Sequence, residues 1–234
     1  MALNVNWLAF GALALGCAAL GATAADSSGV PWLVMAGGAG LAAGAERFGT
    51  RLGPGSRASG SFLAILGTAA AVGPLGGGVA GVAAAIAGYP GRGRPINRLA
   101  LNVGSLALAG IVAGLILQVG GTGFVSTVIV GAAATLVSVL VTGLLVGLAL
   151  GIELGWAQSR QFLTSLVLYS PTYLVAGIAA VLLAREAEGE GLAGFIVLAV
   201  LLAGGCEVAR ASGERIARRL RPGAAAEQYL AKAA

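Results

Sequence analysis

The sequence predicts an all-α, polytopic transmembrane helix bundle, and three observations carry that prediction. Charged residues make up only 10% of the 234 residues, whereas a soluble domain carries roughly a quarter. Hydrophobic residues make up 58%, and mean hydropathy is +0.93. The few charges gather in short clusters, around residues 46–57, 92–98, 185–190 and 207–221, with apolar stretches between them. A helix needs about 20 apolar residues to cross about 30 Å of hydrocarbon. The expected architecture is about six full spans plus a broken Gly-Pro hairpin, equivalent to eight short helices, with both termini cytoplasmic.

The first span is expected over residues 5–25, with Asn4, Asn6 and the interfacial aromatic Trp7 at its start. Ala22-Thr23-Ala24 has the small residues of a cleavage site, but no Lys or Arg precedes the apolar run, so it reads as a retained span. Leu15-Gly16-Cys17 is a poor lipoprotein signal for the same reason. A second span covers residues 30–45, with Trp32 near its start. Glu46, Arg47, Arg51 and Arg57 follow, in a loop rich in Gly, Pro and Ser.

The next apolar stretch, residues 61–89, is interrupted by Gly73-Pro74-Leu75-Gly76-Gly77-Gly78. Each half is too short to cross. Basic clusters flank the whole stretch: Arg47, Arg51 and Arg57 before it, Arg92, Arg94 and Arg98 after it. The positive-inside rule places both clusters on one side. The stretch is therefore expected to enter and leave by the same face, broken at Gly73, Pro74, Gly76, Gly77 and Gly78. Irregular backbone at membrane depth must be enclosed by protein, so the break belongs inside the fold.

Four more spans follow, over residues 99–117, 124–154, 162–184 and 192–206. The net acidic segment 185–190 fits the outside. Arg210, Arg215, Arg218, Arg219, Arg221 and Lys232 fit the inside. Glu207, Arg210, Glu214 and Arg218 recur at helical spacing until Pro222-Gly223 stops the helix. The domains are accordingly a transmembrane helical domain, 1–209, and a basic cytoplasmic helical stalk and tail, 210–234.

Composition removes several chemistries. The chain has no His, the commonest general base and the usual nitrogen donor for zinc or haem iron. Cys17 and Cys206, its two cysteines, lie in apolar stretches and read as small buried hydrophobes. No metal, cofactor or enzymatic constellation is expected. The net charge of +5 sits in loops beside spans, where anionic headgroups account for it and nucleic acid does not.

Gly143, Gly147, Gly151 and Gly155 recur every four residues, with Gly131 and Thr135 upstream, and mark a helix-packing face or a partner's docking face. Asn102 and Ser105 lie one turn apart and suit either interhelical hydrogen bonding or a pocket wall. Pro171 inside a span frees a carbonyl and kinks the helix. Tyr169, Ser170, Thr172 and Tyr173 surround it, so this cluster is a candidate small-ligand cavity, or else a kink re-satisfied by its own hydroxyls. Glu153 is expected to pair with Arg160, with ion or proton coupling as the alternative.

Two stretches resemble a known family. Residues 61–117, SFLAILGTAAAVGPLGGGVAGVAAAIAGYPGRGRPINRLALNVGSLALAGIVAGLIL, and residues 153–184, ELGWAQSRQFLTSLVLYSPTYLVAGIAAVLLA, resemble the multi-span membrane sensor region fused to bacterial HD-GYP and GGDEF signalling proteins. The resemblance carries Gly73, Pro74, Asn102, Pro171 and Tyr173. It implies a bacterial inner-membrane sensory module. No GGDEF, HD or kinase motif appears, so the output is expected from a separate partner protein. The Gly-Pro turn followed by small residues is also similar to the S component of energy-coupling-factor vitamin transporters, with Ala14, Ala18 and Ala22 standing for that family's docking face. The resulting expectation is a non-enzymatic membrane protein that binds an unidentified small ligand or a protein partner, or associates with itself. The rivals are a transporter S-type subunit and a structural subunit of a membrane complex.

Overall fold

The computed structural model describes residues 4–25, 29, 31–47, 50–53, 56–58, 60–89, 95–121 and 123–187. Its elements are α1 (Val5–Ala25), α2 (Trp32–Arg47), β1 (Thr50–Gly53), β2 (Ser56–Ala58), α3 (Ser61–Val72), α4 (Pro74–Gly88), α5 (Ile96–Val119), α6 (Phe124–Leu154) and α7 (Trp156–Ala187). Among the described residues the one regular element pairing that is not helical is the short antiparallel β1–β2, which sets Arg51 opposite Arg57. The expected span 192–206, the stalk and tail, and Arg92 and Arg94 lie outside the described residues. Three helices, α1, α5 and α6, are long and apolar enough to cross a membrane; α3 and α4 are apolar but shorter. The bounds of α1 and α6 are those expected from the sequence.

The interrupted stretch folds back on itself. Ser61, at the start of α3, donates its hydroxyl to Glu46 Oε2 at 2.7 Å, and Gly88, at the end of α4, lies against the same Glu46 side chain. Deeper in, Ala64 and Ile65 share a core cluster with Ala80 and Ala84, and Ala69 lies against Gly77. The two helices are therefore antiparallel, and the 15 residues of α4 rise about 22 Å, short of a full crossing. Gly73 makes the turn with φ 88° and ψ −164°, a conformation reached essentially only without a Cβ. Its N–H donates to the Ala69 carbonyl and its own carbonyl accepts from Gly77 N–H, so one residue caps both helices. Pro74 then occupies the first helical position, where a missing N–H costs nothing.

Around this hairpin the remaining helices alternate in direction. α5 runs antiparallel to α4 with backbone on backbone: Gly77 meets Gly110, Gly81 meets Leu106, and Gly114 meets Pro74. α1 runs parallel to α5, with Asn6 beside Asn97, and with Gly104 against Ala12 and Gly16. α6 returns along α5, and α7 runs back antiparallel to α6 and parallel to α3. The termini of α1, α5 and α7 that come first in the chain thus share one end with Arg47, Arg98 and Arg160; we call this the basic end. At the other end Arg185 donates to the carbonyls of Leu117, in the last turn of α5, at 2.8 Å and of Gly121, just beyond it, at 3.1 Å.

The interior is built mostly from Ala and Gly, and many of the large apolar side chains point outward. Ala9, Ala80, Ala84, Ala113 and Ala134 are fully buried, whereas Leu136, Leu140, Leu144 and Leu148 form an exposed ridge along α6. In water such a ridge is a liability. In lipid, where close backbone approach replaces the hydrophobic driving force, it is the expected arrangement.

Candidate functional site

The basic end is assembled from short-range polar contacts. Arg98 Nη2 meets Glu153 Oε2 at 3.1 Å, and Asn97 Nδ2 donates to Asn6 Oδ1 at 2.9 Å. The expected Glu153–Arg160 pair is corrected here: Glu153 ends α6 facing the first turn of α5, so Arg98 reaches it first. Among the described residues Arg160 makes no hydrogen bond or ion pair. Trp7 and Trp156 are both largely exposed at this end.

The glycine row is an internal packing face between α6 and α7. Leu166 fills the space over Gly143, Leu163 that over Gly147, and the Trp156 ring lies on Gly151. Upstream, Gly131 receives Val181 and Thr135 receives Gly177. Ser159 Oγ donates to the Gly147 carbonyl at 2.8 Å, which locks α7 onto the row. Gly155 does not belong to this row: no atom lies near its missing side chain, and its φ of 95° and ψ of 159° make the α6–α7 turn. The same local conformation thus closes both tight hairpins, at Gly73 and at Gly155. Among the described residues, Ser159 and Ser138 are serines whose hydroxyls reach the backbone of a neighbouring helix, Ser138 Oγ donating to the Ala109 carbonyl at 3.0 Å. Neither was singled out from the sequence, although Ser138 follows Thr135 by three residues on the same side of α6.

The residues expected to line a ligand cavity do not converge. Pro171 leaves the Val167 carbonyl without its helical donor, and Ser170 Oγ supplies one at 2.8 Å. The freed carbonyl is satisfied locally. Thr172 is exposed, and Tyr173 stacks edge-on against Phe62 of α3 with ring centroids 5.4 Å apart. The Tyr169 side chain lies outside the described set. On α5, Asn102 is exposed and Ser105 is buried, with its hydroxyl donating to the Asn102 carbonyl of its own helix at 3.2 Å. α7 packs on α6 and α3 and not on this part of α5, so the two groups stay apart.

A cavity does open along α7, one turn lower than the kink. It is lined by Trp156, Ser159, Arg160, Leu163, Thr164 and Val167, and its volume is about 580 Å³. These positions recur at three and four residues, so they form one stripe of the helix. Trp156 and Arg160 lie at the basic end, and Leu163 and Val167 lie deeper. This 3–4 periodicity of an aromatic, a cation and aliphatics is legible in the sequence, where the Pro171 cluster drew attention away from it. No family model, no curated protein and no solved structure matches this chain.

Proposed function

We propose that this chain is a non-enzymatic integral protein of the bacterial cytoplasmic membrane, a sensory or ligand-binding module that acts through a protein partner. The membrane reading is supported by three spanning-length apolar helices and by the large apolar ridge facing outward. Arg47, Arg98 and Arg160 gather at one end, so the positive-inside rule puts that end, and the start of α1, in the cytoplasm. The observation that carries ligand binding is the α7 cavity, largely apolar and open beside Arg160, a cation with no ion pair among the described residues. A ligand seated there touches the half of α7 below the Pro171 kink. It biases the packing of that half to the extent that it binds one arrangement more tightly.

Purification in mild detergent followed by native mass spectrometry tests this reading. A lipophilic molecule retained on the chain together with a stoichiometric protein partner is the expected result; a chain carrying neither contradicts it. One observation favours an S-type transporter subunit as the second reading. The outer face of α1 exposes Gly11, Ala14, Ala18 and Ala22, and nothing approaches Gly11 or Gly21, which leaves a smooth surface for another helix. Co-purification of an energising ATPase pair, with one water-soluble vitamin per chain, would select that reading over the sensory one.

A further inference from the structure

We propose that the cavity along α7 holds an anionic phospholipid of the cytoplasmic leaflet, with its phosphate on Arg160 and an acyl chain along Leu163 and Val167. This inference rests on the membrane reading above and names the ligand class for it.

Three features point to this occupant. The first is charge. Arg160 is exposed, and the acid nearest to it in sequence, Glu153, is already engaged by Arg98. A guanidinium presents a planar fork of donors that matches a phosphate, and pairing with an anion lets it sit at the edge of hydrocarbon. Trp156, 68% exposed, marks the same depth, since indole rings settle at headgroup level. Ser159 does not compete for the phosphate, because its hydroxyl is spent on Gly147.

The second is length. From Trp156 to Val167 the stripe rises about 16 Å, close to half of the roughly 30 Å hydrocarbon core. The cavity therefore spans one leaflet, as a single acyl chain does. The third is the wall. Below Arg160 the described lining is Leu163, Thr164 and Val167, two aliphatics and one hydroxyl, and the volume of about 580 Å³ is in the range of sites for lipophilic ligands. A free phosphate uses only the mouth. A zwitterionic lipid brings its own cation, which takes up the phosphate charge that Arg160 would otherwise meet.

The test uses the full chain in mild detergent, with lipid adducts counted by native mass spectrometry and thermal unfolding followed in parallel. Phosphatidylglycerol, phosphatidylcholine and inorganic phosphate are added separately. The wild-type chain should retain phosphatidylglycerol at least tenfold better than phosphatidylcholine and gain thermal stability from it, and inorganic phosphate should do neither. Arg160→Gln should remove that preference, and Val167→Phe should reduce retention of phosphatidylglycerol with the charge intact. Arg47→Gln, at another exposed arginine of the same end, should change nothing. Equal retention of both lipids, unchanged retention in Arg160→Gln, or equal loss in Arg47→Gln overturns the site. Stabilisation by inorganic phosphate alone overturns the lipid assignment in favour of a soluble anion. Carbonate extraction of the same cells separates the two levels: a chain that stays in the membrane pellet without lipid preference sinks only this inference, whereas a chain in the supernatant sinks the membrane reading as well.

Discussion

Gly73 and Gly155 adopt nearly the same backbone conformation, yet their sequence contexts advertise it differently. Gly73 precedes Pro74 and interrupts an apolar run, so its role as a turn was legible. Gly155 continues a four-residue glycine spacing and reads as one more packing position. The expected span already ended at Leu154, but only the structure shows that Gly155 makes the turn after it. Both residues occupy a region that costs a side-chain-bearing residue about 1–3 kcal/mol. Gly73→Ala is therefore expected to lower unfolding stability in detergent by about that amount, whereas Gly11→Ala, with open space around it, should leave it unchanged. Equal effects at the two positions would show that the turn conformation is not the cause. The polar residues teach a similar lesson. Asn102 stood out in the sequence because it is large and polar, but it is the hydroxyls of Ser138 and Ser159 that bond the backbone of a neighbouring helix. A small hydroxyl reaches a neighbouring carbonyl only where glycine or alanine has brought the backbones together, and that closeness is a tertiary property.

Among the elements, the α3–α4 hairpin was the most legible because two constraints met on it. Each half is too short to cross, and arginine clusters flank it on both sides. The small residues that close it against α5, Gly77, Gly81, Gly110 and Gly114, form two pairs at four-residue spacing, but in a chain with 40 glycines isolated pairs of that kind arise by chance. Their pairing followed only from the antiparallel register. α7 shows the reverse case. The helical hydrogen bond it lacks was evident from Pro171, but the sequence left open whether the hydroxyls around it face a ligand or the helix itself. Ser170 faces the helix. The energetics follow: Ser170→Ala alone should destabilise by roughly 0.5–1.5 kcal/mol, the net worth of a typical intramolecular hydrogen bond. In a Pro171→Ala background the restored N–H serves Val167, so the same substitution should cost close to nothing. A double-mutant cycle on thermal or denaturant unfolding reads that coupling. Additive effects would mean that the Ser170 hydroxyl does not replace the lost helical bond.

For the whole molecule, the charge map was informative because lipid allows so few charges that each cluster marks an end of the bundle. It placed Arg47 and Arg98 together before any helix was seen, and the structure brings both to the end where α1, α3, α5 and α7 begin. Where the charges pair was not legible, since Glu153 lies closer in sequence to Arg160 than to Arg98, but helix directions bring Arg98 to it. That exchange leaves Arg160 beside the α7 cavity and gives the basic end its candidate site. The central claim is that residues 61–89 enter and leave by this one end without crossing. Single cysteines at Arg47, Ile96 and Gly123, in a chain with Cys17 and Cys206 replaced by Ser, test it with a membrane-impermeant maleimide on spheroplasts and on inverted vesicles. Arg47→Cys and Ile96→Cys should both label only on inverted vesicles, and Gly123→Cys only on spheroplasts. Labelling of Arg47→Cys and Ile96→Cys from opposite faces would make the stretch a crossing and contradict the account.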